Sequence, residues 1–219
     1  MTAEDTRTRL LNTALDLIWQ SNYNSVGVND ICKQAGVTKG GFYHHFESKA
    51  ALFCAATDHY WASSRATLDE ILSPMNPPLE QMRLMVLHII DNKLAGYPES
   101  LKGCAFFSAL PDSEDEALVN DALCTMSKNG QKFSQAMARS LAAGGYLEDD
   151  TDVERLGRMM SQYIQGVSAF IRVNRDLTLD CLKQDVAQGL FSLVGLKREY
   201  WFDVLQAQTA APAAAIKQA

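Results

Sequence analysis

Apolar residues recur every three to four positions along most of the chain, which is the spacing of helices that bury one face. Residues 10–21 carry this spacing in a first helix, and turn-forming residues follow it. A short second helix is predicted between Gly27 and Gly36, and a short third helix begins with Thr38 as its N-cap. A long fourth helix is predicted over 48–72, because a cluster of prolines follows directly.

The rest of the pattern is also helical. Further helices are predicted near 78–95, 103–110, 114–143, 152–175 and 178–196, with prolines, glycines or polar turns between them. An alternating pattern long enough to indicate a strand does not occur, so the chain is predicted to be all-α.

The chain is predicted to have three segments. Residues 1–50 form an N-terminal three-helix unit with a helix-turn-helix, and residues 51–205 form a larger helical domain. Residues 206–219 are rich in Ala and Gln and lack aromatic residues, which predicts a disordered tail.

Composition narrows the class of protein. Hydrophobic residues make up 47% and charged residues 21% of the 219 residues, as in ordinary soluble globular proteins. The longest apolar run is too short for a membrane span, and the polar N-terminus is unlike a signal peptide. Five irregularly spaced cysteines favour reduced thiols in a cytoplasmic protein, and their spacing does not fit a metal site. We expect no metal, no cofactor and no membrane association.

Net charge alone does not indicate a nucleic-acid partner. The chain carries a formal charge of −6, whereas DNA-binding domains are often basic. Residues 1–50 balance five basic against five acidic residues, so the excess of acid lies in the rest of the chain. A DNA-binding interpretation therefore depends on where individual residues are placed.

Residues 30–49 have the layout of a helix-turn-helix DNA reader, because a glycine lets the chain reverse between two short helices. The segment and its continuation contain Ile31, Ala35-Gly36-Val37, Gly40, Phe42-Tyr43, Phe46, Lys49 and Leu52. These residues resemble the DNA-binding signature of the TetR family of bacterial repressors. The resemblance implies a homodimer that binds a palindromic double-stranded DNA operator and represses transcription. It also implies that residues 51–205 form the dimer and bind a small-molecule inducer, whose identity the sequence does not give.

The third helix carries chemistry suited to DNA. Its first turn can present side chains and amides to the groove and to phosphates, and Lys39 is the best candidate for reading a guanine edge. Many family members carry Thr or Ser where this chain has Val26-Gly27-Val28, so the Gly27 amide is expected to replace a hydroxyl contact. The alternative is a helical corner without a DNA role. The predicted DNA-contacting residues are Thr38, Lys39, Gly40, Gly41, Tyr43, His44, Lys49 and Gly27.

Two apolar stripes are candidates for the dimer interface, because the last two helices of this family pair with their two-fold mates. The alternative is that both stripes are buried in the core of the monomer. The predicted interface residues are Leu156, Met160, Tyr163, Val167, Leu182, Val186 and Leu190.

The resemblance also implies an inducer pocket among the middle helices, lined by apolar and aromatic residues with a few polar anchors. His88 and Asn92 share one helix face and form a conceivable polar pair. Plain core packing is the alternative for each residue of the set. The predicted pocket residues are His88, Asn92, Phe106, Phe107, Met126, Tyr163 and Phe170.

Cys104 is a candidate sensor thiol. It lies at the predicted start of a helix, two residues after Lys102, and both features lower a thiol pKa. A similar Gly-Cys pair occurs in the TetR-family subgroup with the N-ethylmaleimide-responsive repressor, which implies electrophile or redox sensing. The alternative is a buried small hydrophobe, the role expected for the other four cysteines.

A thiol enzyme and a helical adaptor are the two alternative classes of protein. A thiol enzyme would combine Cys104 with His88 and Asp91, but the motifs of known hydrolases, phosphate-binding loops and metal sites do not occur. A helical adaptor that binds only proteins would not need Lys39 and Tyr43 where a DNA reader places them. We therefore predict a regulator and no enzymatic activity.

Overall fold

The computed structural model describes residues 5–20, 23–98, 116–148 and 152–209. Within these segments helices joined by turns make up the chain, apart from one isolated bridge between Leu147 and Leu196. The prediction of an all-α fold is confirmed. The α-helices are α1 (Thr6–Gln20), α2 (Val28–Ala35), α3 (Lys39–His45), α4 (Lys49–Ile71), α5 (Pro78–Lys93), α6 (Glu116–Ala143), α7 (Val153–Val173), α8 (Leu179–Val194) and α9 (Val204–Thr209).

Local capping determines where the short helices begin and end. Thr38 Oγ1 accepts a hydrogen bond from the Gly41 N–H at 3.1 Å and starts α3. Ser48 Oγ accepts one from the Ala51 N–H at 3.0 Å and starts α4. Gly36 ends α2 at φ 64°, a conformation that side chains with a Cβ adopt only with strain. These three boundaries coincide with the predicted ones.

The structure adds two elements at the C-terminus that the apolar pattern does not predict. One is a 3₁₀ helix at Arg198–Tyr200 and the other is α9. Because Val204 is buried in the core, α9 forms and includes residues 206–209, the first part of the segment predicted to be disordered. The remainder of that segment and the helix predicted at 103–110 lie outside the described residues.

The buried residues form two clusters. The head cluster comprises buried residues of α1 to α4 as far as Ala56, together with Val119, Leu123 and Met126 from α6. The body cluster comprises buried residues of α5 to α9 and of the end of α4. Trp61 packs against both clusters. The predicted boundary at residue 50 therefore falls in the first turn of a helix that continues through both.

Candidate DNA-binding face and ligand cavity

Helix α3 presents one polar face and buries the opposite one. Phe42 is fully buried in the head cluster and fixes the helix to the protein. Lys39, Tyr43 and His44 are exposed, and the Tyr43 side chain is 56% accessible although it is aromatic. A short helix with its outer face free has the geometry of a recognition helix that enters a DNA groove.

The two glycines of α3 have different roles. A Cβ at Gly41 would lie 2.8 Å from Val37 Cγ1, so a side chain there would displace the side chain of Val37 in the turn before α3. A Cβ at Gly40 would meet only Thr38 Oγ1, at 3.9 Å. Gly41 is therefore needed for packing within the protein. Gly40 leaves the outer face of the backbone open to a close approach by another molecule.

The Gly27 amide is not available for the predicted phosphate contact. The Gly27 N–H donates to Asp30 Oδ2 at 3.0 Å, and this bond is part of the N-cap of α2. Because the Asp30 carboxylate already accepts from the Gly27 N–H, it occupies the position that a phosphate oxygen would need. The structure therefore corrects the prediction for Gly27.

Lys49 is likewise turned inward. Its ammonium donates to the carbonyl oxygens of Tyr23 at 3.0 Å and Val26 at 3.2 Å, and it lies 4.0 Å from the centroid of the Tyr23 ring. The predicted phosphate contact is corrected, because the charge is engaged with backbone dipoles and an aromatic face. Lys49 ties the start of α4 to the connection between α1 and α2.

Arg7 adds a cation beside α3 that the helix-turn-helix pattern did not predict. Its guanidinium carbon lies 5.4 Å from the centroid of the Phe46 ring, next to the C-terminal end of α3, and the residue is exposed. The position of a basic residue near the N-terminus of the first helix is visible in the sequence. Its proximity to α3 depends on how α1 packs, which the sequence does not give.

A cavity of about 170 Å³ lies between α4, α5, α6 and α7. Three of the predicted pocket residues line it: His88, Asn92 and Met126. The other described residues of its wall are Tyr60, Trp61, Ser64, Leu68, Met85, Ile89, Lys93, Ser127, Gly130, Phe133, Ser134, Ser161, Ile164 and Gln165. The cavity has the mainly apolar wall with a few polar groups that is typical of small-molecule sites.

His88 and Asn92 meet at the cavity as their spacing predicts. Asn92 Nδ2 donates to the His88 carbonyl oxygen at 2.8 Å, across one turn of α5. Burial lowers the pKa of His88 below its usual 6.5, and the nearby charge of Lys93 lowers it further. His88 is therefore an uncharged hydrogen-bonding group near neutral pH.

The other predicted pocket residues do not line this cavity. The Tyr163 hydroxyl donates to the Asp185 carbonyl oxygen at 3.0 Å, so this side chain ties α7 to α8. Phe170 is 49% accessible on the outside of α7, because its position in the helix points away from the core. Phe106, Phe107 and Cys104 lie outside the described residues.

The two stripes predicted to face a partner are part of the core of the single chain. The stripe residues Leu156, Met160, Leu182, Val186 and Leu190 are at most 3% accessible and belong to the body cluster. The remaining two, Tyr163 and Val167, pack against it. The interface prediction is corrected in favour of the core alternative, because the helices pack these faces against each other and against α5.

Other apolar residues are exposed on α7 and α8. Phe170 is 49%, Val173 is 82% and Leu179 is 38% accessible. Gly166 is exposed on α7, and a Cβ there would meet no atom within 4 Å. The outer side of α7 and the start of α8 therefore form an apolar surface near a position where a helix can approach closely.

The four described cysteines differ in their surroundings. Cys32 is buried and Cys54 is partly buried, but Cys124 and Cys181 are exposed, so packing does not explain the last two. The Asp185 carboxylate, 3.7 Å from the Cys181 Sγ, raises the pKa of that thiol. Among the described residues, groups of three or more His, Cys, Asp or Glu that would hold a metal ion do not occur, and a helix that would cross a membrane is not found.

Comparison with known sequences matches the head, the part of the chain from α1 to the start of α4 that forms the head cluster, to a known family. A model of bacterial regulatory proteins of the tetR family matches residues 10–56, from α1 into α4. The uncharacterised helix-turn-helix-type transcriptional regulator YxaF of Bacillus subtilis is 28% identical over 179 residues, which cover 80% of this chain and 88% of YxaF. The transcriptional repressor NemR of Escherichia coli is 38% identical over 71 residues, 32% of this chain and 36% of NemR.

Solved structures extend the similarity over the body. The regulator CifR, solved as a cysteine mutant with 26-base-pair double-strand operator DNA, has a TM-score of 0.69 and 23% identity, covering 87% of this chain and 97% of CifR. The structure of SmeT with triclosan has a TM-score of 0.72 and 16% identity, covering 91% of this chain and 96% of SmeT. At these identities the likeness shows a common fold, with a helix-turn-helix domain followed by a helical domain.

Proposed function

Because this chain is a helix-turn-helix transcriptional regulator of the TetR family, we propose that it is a repressor whose helix α3 enters the major groove of an operator. The observation that carries the proposal is the outer face of α3, where Lys39, Tyr43 and His44 are exposed while Phe42 anchors the helix. Lys39 reads a base edge, and Tyr43 and His44 contact phosphates. The protein acts in the cytoplasm, where its operator is accessible.

The first turn of α3 completes the contact. Thr38 caps the helix with its Oγ1, and the outward side of Gly40 is open, so the backbone there comes close to the DNA. Arg7 lies at the other end of α3 and supplies a further cation for the phosphate backbone. CifR, whose fold is similar, was solved with operator DNA, which supports the same use of the fold here.

The operator-binding form is a homodimer with two-fold symmetry. Two recognition helices about one turn of DNA apart require a palindromic operator, because the symmetry of the protein is mirrored in its site. The exposed apolar residues Phe170, Val173 and Leu179 are the part of α7 and α8 that a second copy covers, and Gly166 allows its helix to approach. This surface replaces the core stripes as the proposed dimer face.

A small-molecule inducer binds in the cavity and releases the DNA. Helix α4 contributes Tyr60, Trp61 and Ser64 to the cavity wall and holds Lys49 in its first turn, so the same helix contacts the inducer and the head. The inducer shifts the population only as far as it binds the DNA-free conformation more tightly. SmeT, a neighbour in fold, was solved with triclosan, which supports a ligand site in a body of this kind.

The proposal is tested by selecting operator DNA from a random pool with the purified protein. Fluorescence anisotropy then measures its affinity at several salt concentrations, because each phosphate contact adds to the salt dependence. The double variant Lys39→Ala, Tyr43→Phe should bind at least tenfold more weakly and remain folded. Lys128→Ala, which removes an exposed charge from α6, is the matched control and should bind like the unaltered protein.

The outcome separates a DNA regulator from a helical adaptor. Enrichment of a palindrome and loss of affinity in the double variant alone would support the proposed function. If selection enriches no sequence, the proposal of a DNA regulator is contradicted. If Lys128→Ala weakens binding as much as the double variant, α3 is not the reading helix.

A further inference from the structure

The described wall of the cavity carries almost no charge. Its one permanently charged side chain is Lys93, and none of its described residues is an Asp or Glu, although the chain as a whole has more acidic than basic residues. His88 is nearby and uncharged, because burial and the charge of Lys93 lower its pKa. The described part of the wall therefore offers no carboxylate to a bound cation.

The apolar part of the wall is suited to a flat ring. Trp61 from α4 and Phe133 from α6 meet at 5.8 Å between centroids and 68° between planes, and Tyr60 also lines the cavity. Aromatic rings pack favourably on such edge-to-face pairs. An apolar cavity of about 150 Å³ is large enough for benzene. A cavity of about 170 Å³ therefore holds one ring with a small substituent.

The polar part of the wall consists mainly of neutral hydroxyl groups. Ser64 lies on α4, Ser127 and Ser134 on α6, and Ser161 on α7, so they surround the cavity from three helices. A hydroxyl both donates and accepts hydrogen bonds, and it can pair with an alcohol, a phenol or a carboxylate. It does not neutralise a buried cation.

We propose that the ligand of this cavity is a small aromatic compound, neutral or anionic, and that the cavity excludes aromatic cations. The proposal rests on the proposed function, since it takes the cavity as the inducer site. The faces of Trp61 and Phe133 would attract a cation. That attraction is smaller than the cost of removing a cation from water where the described wall provides no carboxylate partner.

The charges on the surface outside the Trp61–Phe133 pair also disfavour a cation. A groove between α4 and α6 shares these two residues with the cavity and carries Arg65 and Lys132. Among the described residues of this groove the one acid is Asp69, which pairs with Arg65 at 3.3 Å. Approach to the cavity from this groove is therefore not favourable for a cation.

The test compares three compounds that share one ring and differ in charge: benzyl alcohol, benzoate and benzylammonium. Binding to the full chain without DNA is measured by the shift in melting temperature and by tryptophan fluorescence, to which Trp61 in the cavity wall contributes. Benzyl alcohol and benzoate should stabilise the protein, and benzylammonium should bind at least tenfold more weakly.

A negative charge introduced into the wall tests the electrostatic cause. Ser64→Asp should turn the preference towards benzylammonium, and Ser127→Asp, from another helix, provides a second variant if the first does not fold. The exposed neighbour Ser63 supplies the matched control, because Ser63→Asp adds the same charge outside the cavity and should keep the original preference.

The results test the ligand class and the repressor function separately. Benzylammonium binding as tightly as benzoate, or no binding of any of the three compounds, would overturn the ligand class. Selective binding of benzyl alcohol and benzoate by a protein that selects no DNA would support the ligand class and contradict the repressor.

Discussion

The outer face of α3 and the apolar stripes of α7 and α8 differ in how much of the helix surface is buried. In α3, one buried side chain, Phe42, holds a short helix whose outer face, with Lys39, Tyr43 and His44, stays exposed. In α7 and α8, residues such as Met160 and Leu190 bury whole helix faces in the body cluster, and only a few apolar residues remain outside. The head thus uses little buried area to present a surface, while the body uses most of its helix faces for its own core.

The difference shows which substitutions separate stability from function. A residue on the outer face of α3 can change without loss of buried area, so its effect should fall on DNA binding. A residue in the stripes of α7 and α8 contributes to the core, so its effect should fall on stability.

The largest contrast is expected between adjacent residues of α3. Phe42→Ala removes a fully buried ring from the head cluster and should lower the free energy of unfolding by about 3–5 kcal/mol. Tyr43→Ala, at an exposed position, should change it by less than about 0.5 kcal/mol and weaken operator binding. Urea denaturation at fixed protein concentration and anisotropy measure the two effects. Equal destabilisation by both variants would contradict the division of α3 into two faces.

A similar contrast is expected in the body. Leu190→Ala should lower the free energy of unfolding by about 2–5 kcal/mol, because Leu190 is completely buried. Val173→Asp, at a position 82% accessible, should leave each protomer folded but shift the dimer towards monomer. Denaturation and sedimentation velocity distinguish these outcomes. If Val173→Asp remains fully dimeric at low concentration, the dimer face lies elsewhere.

The two lysines predicted to touch DNA should behave differently. Lys49→Met removes the donor to two carbonyl oxygens and should destabilise the head by about 1–3 kcal/mol. Lys39→Met should leave stability unchanged, weaken binding to the selected operator by about 1–3 kcal/mol and relax the preference for one base pair. Thermal unfolding and anisotropy with single-base variants of the operator provide the comparison. A loss of DNA affinity without a loss of stability in Lys49→Met would restore its predicted phosphate contact.

The smallest expected effect is a pH dependence of the free energy of unfolding that comes from His88 in the cavity wall. The pKa of His88 in the folded protein lies below its usual 6.5, so the unfolded chain binds more protons in the window between the two values. Stability should therefore fall as the pH decreases from about 6.5 through the folded pKa, and His88→Gln should reduce this slope. His59→Gln, at an exposed position of α4, is the control. An unchanged slope in His88→Gln would assign the dependence to other groups.

The head was largely predictable because its determinants are local. The caps at Thr38 and Ser48 and the glycine at 36 fix helix boundaries within a few residues of themselves, and the structure places them as expected. The roles of Gly27 and Lys49 were not predictable in this way. Lys49 binds carbonyl oxygens 23 and 26 residues earlier in the chain, and such a contact depends on how α1, α2 and α4 pack.

The body was predictable in its helices but not in their faces. An apolar stripe has the same sequence pattern whether it contacts the core or a partner, so Leu182 and Val186 gave no sign of their burial in the monomer. His88 and Asn92 were predictable as a pair because residues four apart on a helix are neighbours. Trp61, which lines the cavity from α4, was not predicted because its place depends on the packing of four helices.

The contribution of α6 to the head cluster has a consequence for evolution and for engineering. Val119, Leu123 and Met126 come from the body sequence but are buried with residues of α1 to α4. A chimera that joins residues 1–50 to the body of another regulator would expose this side of the head unless its new α6 supplied side chains of matching shape. New combinations of operator and inducer should therefore arise more readily by substitutions on α3 and around the cavity than by exchange of whole segments.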